Sequence, residues 1–198
     1  MGRWFTGCLS VLAIVVVAKA YTGWHQARTD APDLIVEAAS LIAQGRGAHD
    51  LGPGRVEQVL ATQDPNFFRH NGVDLKTRGP ATDGTVTQTL ARPVAIASMV
   101  PGVGKVSRLT YTLALDERLP KTAQLALFLD RVDMGHAPDG TWIVGFFKAS
   151  ELAFDRPPSE LTDDDFRSLL AAMGGGRAIS PAAAPTPSRV AYLGVLRD

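Results

Sequence analysis

The residues that could do chemistry gather in three short stretches of this chain. The first runs from Ala61 to Asp74, where Gln63, Asp64, His70 and Asp74 stand among Phe67, Phe68 and Gly72. The second runs from Gly84 to Arg92 and holds Thr85, Thr87, Gln88 and Thr89, and the third opens with Lys105 and Arg108. Side chains such as Thr87 and Gln88 can line a polar groove, and serve equally well as helix caps and loop bonds. Cations bind phosphate by charge-assisted hydrogen bonds and need no base to do so. An isolated Lys or Arg on a helix is nonetheless most often a solvated face. His70 taken alone reads as a buried, hydrogen-bonded histidine, and Phe67 and Phe68 read as core. The remaining histidines, His25, His49 and His136, form no HxH or HxxxH pair, and the sequence has one cysteine, Cys8. That rules out an intrachain disulfide and any multi-cysteine zinc or iron–sulfur site. The 20 Lys and Arg balance 20 Asp and Glu without a basic cluster, which disfavours nucleic-acid binding.

Helices must position these stretches. A chain of 198 residues, 45% hydrophobic, holds one domain with a core and a little left over. The surplus lies at the start. Trp4 to Ala18 carries no charge, and counted through Lys19 to Trp24 it approaches the roughly 20 residues that span a bilayer. Lys19 can snorkel at its far end, and Trp4, Tyr21 and Trp24 stand at interfacial positions. Residues 1–24 therefore read as a retained membrane anchor. The alternatives are a signal peptide cleaved near Ala18-Lys19-Ala20 and a buried globular helix. Residues 25–32 read as a polar linker reaching no more than about 30 Å, and residues 33–198 as the domain.

Within the domain, apolar periodicity predicts a helix from Asp33 to Gln44 with Leu34, Ile35, Ala38, Leu41 and Ile42 on one side. Further helices are predicted over Arg55–Thr62, Thr85–Arg92, Lys105–Glu117, Thr122–Val132, Thr141–Phe154, Phe166–Met173 and Ser188–Leu196. Pro120 makes a corner, and Thr162 with Asp163, Asp164 and Asp165 makes an N-cap and acidic first turn. Gly45–Gly54 and Thr77–Gly84 read as loops, and Pro93–Gly104 as an apolar, uncharged stretch broken by Pro and Gly. Strand-like alternation is scarce, so the fold is expected to be mainly α.

The order of these stretches resembles the family 51 glycosyltransferases, the lysozyme-like domains that polymerise lipid II into peptidoglycan glycan strands. Their first signature, E-D-x-x-F-x-x-H-x-G-x-D, is matched by Asp64, Phe67, His70, Gly72 and Asp74 at the family spacing. Gly84 to Arg92 is similar to S-T-x-T-Q-Q-L-x-K, and Leu115 to Asp130 tracks L-E-x-x-L-S-K and L-Y-L-N. The likeness covers roughly Arg55 to Leu196, in order. It implies a substrate site drawn from Asp64, Phe67, His70, Gly72, Thr85, Thr87, Gln88, Arg92 and Lys105. It implies no cofactor, beyond a divalent cation at a pyrophosphate site. Pro93–Gly104 falls where the family carries a mobile segment, suited either to partial insertion at the bilayer or to a buried connector.

The departures fall on the chemistry. The family's general base, the glutamate that leads the first signature, is Gln63 here, and a side-chain amide has no useful basicity. A positioned base is worth about 10²–10⁴ in rate. The second catalytic glutamate closes R-K-x-x-E, and counting back from Asp116 puts Arg108 in its place, with Gly104 for the leading arginine and Lys105 retained. Gly84 replaces the serine of the second motif, and Thr89 its second glutamine. The resemblance thus implies a pseudo-glycosyltransferase of the bacterial cytoplasmic membrane, single-pass and facing outward, that binds lipid II or a nascent glycan strand without extending it. An active monofunctional enzyme with an altered site, and a non-enzymatic docking partner of other cell-wall synthases, are the competing readings.

Overall fold

The computed structural model describes residues 2–74, 84–92, 103–136 and 140–174. Thr77–Asp83, Pro93–Gly102 and the expected C-terminal helix lie outside the described residues. The described architecture is helical. Helix α1 spans Gly2–Ala43, α2 Arg55–Gln63, α3 Val86–Leu90, α4 Val103–Arg118, α5 Lys121–Arg131, α6 Phe146–Phe154 and α7 Asp163–Ala172. Single 3-10 turns occupy Ala48–Leu51 and Pro158–Glu160, and strands β1 (Asp133–His136) and β2 (Trp142–Val144) form an antiparallel hairpin between α5 and α6.

The expected boundaries at residues 24 and 32 do not exist as breaks. Residues 25–32 are helical, and α1 runs through Pro32 without interruption. Proline inside a helix removes a backbone donor and costs about 3 kcal/mol. Pro32 lies on the exposed side, where water can satisfy the freed Arg28 carbonyl, and burial on the opposite side offsets the cost. That side is a stripe of Ala27, Ala31, half-buried Leu34, Ala38 and Leu41, packed against Tyr111, Ala114, Leu115, Ala123 and Leu127. The stripe keeps the helical period but is narrower than expected, since Ile35 and Ile42 are 40% and 44% exposed. Gly23 extends it: a Cβ there would stand 2.1 Å from the Ser107 carbonyl oxygen, so only glycine lets α1 and α4 approach this closely. Ser107 Oγ donates to the Lys19 carbonyl at 3.0 Å, so the packed unit begins before residue 25.

Further up α1 the helix leaves the domain. Val11, Leu12, Ile14 and Val17 are between 57% and 68% exposed, unlike a buried core helix. Among the described residues no helix is long and apolar enough to cross a membrane.

A second core lies on the other side of α5, whose residues Ala123 to Leu129 are all buried. Phe67, Phe128, Phe146, Phe166, Met134 and Leu169 fill it. Arg55 is buried there with its guanidinium 4.8 Å above the Phe166 ring, donating to the Leu161 carbonyl. The helix expected over Thr141–Phe154 begins only at Phe146. Thr141-Trp142-Ile143-Val144 is β-branched and aromatic, which favours extended backbone, and Gly145 at φ 99° separates strand from helix. His136 pairs with Trp142 across the hairpin, their rings edge-on at 4.3 Å. The Thr162 cap forms as expected, its Oγ1 accepting the Asp165 N–H at 3.2 Å.

Candidate functional site

Helix α2 delivers the first stretch. It ends at Gln63, and Asp64 turns the chain out of the helix while its N–H still bonds the Leu60 carbonyl at 2.8 Å. Asp64 is fully buried. One of its oxygens accepts the Val86 N–H at 3.0 Å, and both lie 2.9–3.0 Å from His70 Nε2. Nε2 faces the carboxylate as the donor, and Nδ1 is buried with no hydrogen-bond partner among the described residues. The carboxylate thereby ties the turn after α2 to the start of α3.

Helix α3 opens with reciprocal caps. Thr85 Oγ1 accepts the Gln88 N–H at 3.1 Å, and Gln88 Oε1 accepts the Thr85 N–H at 2.8 Å. The Thr85 hydroxyl donates to the Gly72 carbonyl at 2.5 Å. Gly72 sits at φ 81°, and a Cβ there would lie 2.8 Å from Asp116 Cβ, so this turn can press onto α4 only as glycine. The Gly84 departure is coupled to the cap: a Cβ on Gly84 would meet Gln88 Oε1 at 2.2 Å.

The third stretch closes the network. Asp116 Oδ1 accepts Lys121 Nζ at 2.6 Å and Gln124 Nε2 at 3.1 Å. The Thr87 hydroxyl donates to Gln124 Oε1 at 2.7 Å. Lys121 also reaches the His70 carbonyl at 3.3 Å and lies 4.5 Å from the Phe67 ring centroid. All three stretches therefore meet in one hydrogen-bonded body. The resemblance singled out Leu115 to Lys121, but the structural parts played by Asp116, Lys121 and Gln124 were not anticipated. Their signal was present in the charge pairing of Asp116 with Lys121.

Asp64, Phe67, Gly72, Thr85 and Thr87 are buried, where they hold the three stretches together. Gln88 is half-buried and folded back on its own cap. Gln63 is also fully buried, its amide donating to the Gly84 carbonyl at 3.2 Å. Arg108 lies one turn before Thr112 on α4, on the face that continues to Asp116 and receives Gly72. It is half-buried, and Lys105, Arg92 and Arg69 are exposed. Neither the Arg108 nor the Lys105 side chain forms a hydrogen bond or ion pair within the described residues. No group of three or more His, Cys, Asp or Glu among the described residues is placed to hold a metal ion.

A helical body in which these three motifs interlock around a site on α2, α3 and α4 defines a lysozyme-like transglycosylase domain. The chain belongs to the transglycosylase family, glycosyltransferase family 51: residues 46–196 match the family model. It is similar to penicillin-binding protein 1B of Escherichia coli (strain K12), 32% identical over 136 residues that cover 63% of this chain and 16% of that protein. Penicillin-binding protein 1F of Bacillus subtilis (strain 168) is 24% identical over 180 residues, 82% of this chain and 24% of that protein. The biosynthetic peptidoglycan transglycosylase of Rhodopseudomonas palustris (strain TIE-1) is 27% identical over 149 residues, 70% of this chain. The chain thus spans about a sixth of the penicillin-binding protein 1B length and 61% of the biosynthetic peptidoglycan transglycosylase.

Proposed function

We propose that this protein acts in peptidoglycan synthesis at the bacterial cytoplasmic membrane, binding lipid II or a nascent glycan strand without polymerising it. One observation carries the reading. The bracing network of Asp64, His70, Gly72, Thr85, Thr87, Asp116 and Lys121 is complete, while the two positions that need carboxylates hold a buried amide, Gln63, and a cation, Arg108. The neighbouring carboxylates do not substitute for them. Asp64 is consumed by His70 and Val86, Asp116 by Lys121 and Gln124, and Asp74 accepts from Asn66 at 3.0 Å. What the site offers is positive: Lys105 and Arg108 stand on one helix, and Arg92 and Arg69 of the first two stretches are exposed. A divalent cation would take its ligands mainly from the pyrophosphate itself.

Purified full-length protein in detergent is expected to bind lipid II and to yield no glycan strands. Lys105→Ala should weaken that binding by about 1–3 kcal/mol, the scale of a hydrogen bond to a charged group. Strands made by the unmodified protein would overturn the reading. Absence of binding by every variant would favour the docking-partner role.

Residues 4–24 serve in this reading as the tether, with the domain outside the cytoplasm. The uncharged run and its exposed apolar side chains support it. Because α1 is one helix from the run into the packed domain, the tether would hold the domain rigidly, at 1.5 Å of rise per residue. A reporter fused after Asp198 is expected to be active only outside the cytoplasm. Cytoplasmic activity would sink this topology.

A further inference from the structure

One cavity lies apart from the motif network. It opens between α1, α3, α4 and α5, measures about 350 Å³, and is walled by Asp30, Asp33, Leu34, Leu90, Tyr111 and Arg131, with Gln26 at its edge. Tyr111 is buried, and its hydroxyl donates to Asp30 Oδ2 at 3.0 Å. Burial, and then the adjacent Asp30 charge, push this phenol well above its ordinary range, so its proton stays committed to Asp30. The other Asp30 oxygen remains available as an acceptor. Asp33 makes no hydrogen bond or ion pair within the described residues. Arg131 also lines the cavity, but its charge is shared with Glu37, whose two oxygens hold its Nη2 at 2.6 and 2.7 Å, so the Arg131–Glu37 pair leaves the Asp30 and Asp33 charges in excess.

We propose that this cavity binds a primary ammonium or guanidinium group on an aliphatic stem, with the cation against Asp30 and Asp33 and the stem along Leu34 and Leu90. An anion would meet two carboxylates against one cation already shared with Glu37. An uncharged apolar ligand would strip water from the half-buried Asp30, and a charged group desolvated without a partner is costly. A cation replaces that water with charge-assisted hydrogen bonds, strengthened where the walls exclude solvent. The volume falls near the lower end of small-ligand pockets, about 300–1,000 Å³. The site is independent of whether the motif network polymerises anything.

The same ammonium chemistry can come from a soluble or peptide-borne amine or from an ethanolamine lipid headgroup. Full-length protein in detergent micelles would be titrated with n-butylammonium chloride and, in parallel, with sodium butyrate, following the NMR signals of Leu34, Leu90 and Tyr111. Saturable shifts are expected with the amine and none with the acid. Asp33→Asn, a surface change that leaves the core untouched, is expected to raise the dissociation constant about tenfold, one decade of affinity. Tyr111→Phe frees the second Asp30 oxygen and should leave amine binding equal or tighter. Equal shifts from butyrate, no saturation, or an Asp33→Asn variant that binds like the unmodified protein would each overturn the proposal. Repeating the titration in nanodiscs with and without phosphatidylethanolamine separates the sources: competition by that lipid assigns the ammonium to a headgroup, and its absence to a soluble or peptide-borne amine.

Discussion

Asp64→Ala is expected to cost the protein about 2–6 kcal/mol, from leaving two buried donors unsatisfied at about 1–3 kcal/mol each. The magnitude follows from what the carboxylate holds. It is fully buried, it accepts the first N–H of α3, and among the described residues it is the only hydrogen-bond acceptor for the His70 ring, whose other nitrogen has no partner there. Truncation leaves a buried imidazole N–H and a buried backbone N–H unsatisfied at once. For a chain of this length each kcal/mol is worth about 2–4 °C in melting temperature, so thermal unfolding followed by circular dichroism should show a fall near 10 °C. Asp64→Asn keeps an oxygen for the Val86 N–H and should fall between the two. Were Asp64→Ala to melt within a degree or so of the unmodified protein, the bracing role assigned to this residue would be wrong.

The sequence disclosed this network unevenly, for physical reasons. Asp64, His70, Gly72 and Thr85 were legible through the motif spacing, and in the structure they are a buried acceptor, its donor, a left-handed turn and a hydroxyl cap. The long helices were legible because burial on one face imposes a period of 3.6. The missed features depend on tertiary contacts that periodicity does not encode. Residues 25–32 look like a linker because they are polar and contain Pro32, yet Gly23, Ala27 and Ala31 give α4 a flat surface to pack on, and that packing overrides the local propensity. Trp142 to Val144 was read as helix because it adjoins a helical run, and only pairing with β1 reveals it as strand. Gln88 was read equally as a groove residue and as a cap, and the space left by Gly84 lets it close its own cap.

Gln63 and Arg108 offer the sharpest test of lost catalysis, and the structure sets different expectations for the two. Gln63 donates its amide to the Gly84 carbonyl from a fully buried position. In Gln63→Glu a carboxylate would face that carbonyl as a second acceptor, which costs about 1–3 kcal/mol for the unmet pair. This single variant is therefore expected to be less stable and to make no glycan strands, because Arg108 still occupies the second carboxylate position. Arg108→Glu alone places an acid on the α4 face that receives Gly72, but supplies no base at the first position, and should be equally silent. The double variant, Gln63→Glu with Arg108→Glu, restores both groups on an intact bracing network. Its lipid II polymerisation should rise at least about 10²-fold over the unmodified protein, the lower end of what a positioned acid or base contributes. The readout is strand formation from labelled lipid II, with melting temperature measured on the same samples so that instability is not mistaken for inactivity. A folded double variant that stays at background would place the block at the other departures, Gly84, Thr89 and Gly104. Rescue by either single change would show that one carboxylate suffices on this scaffold, and that the other position was never part of the chemistry.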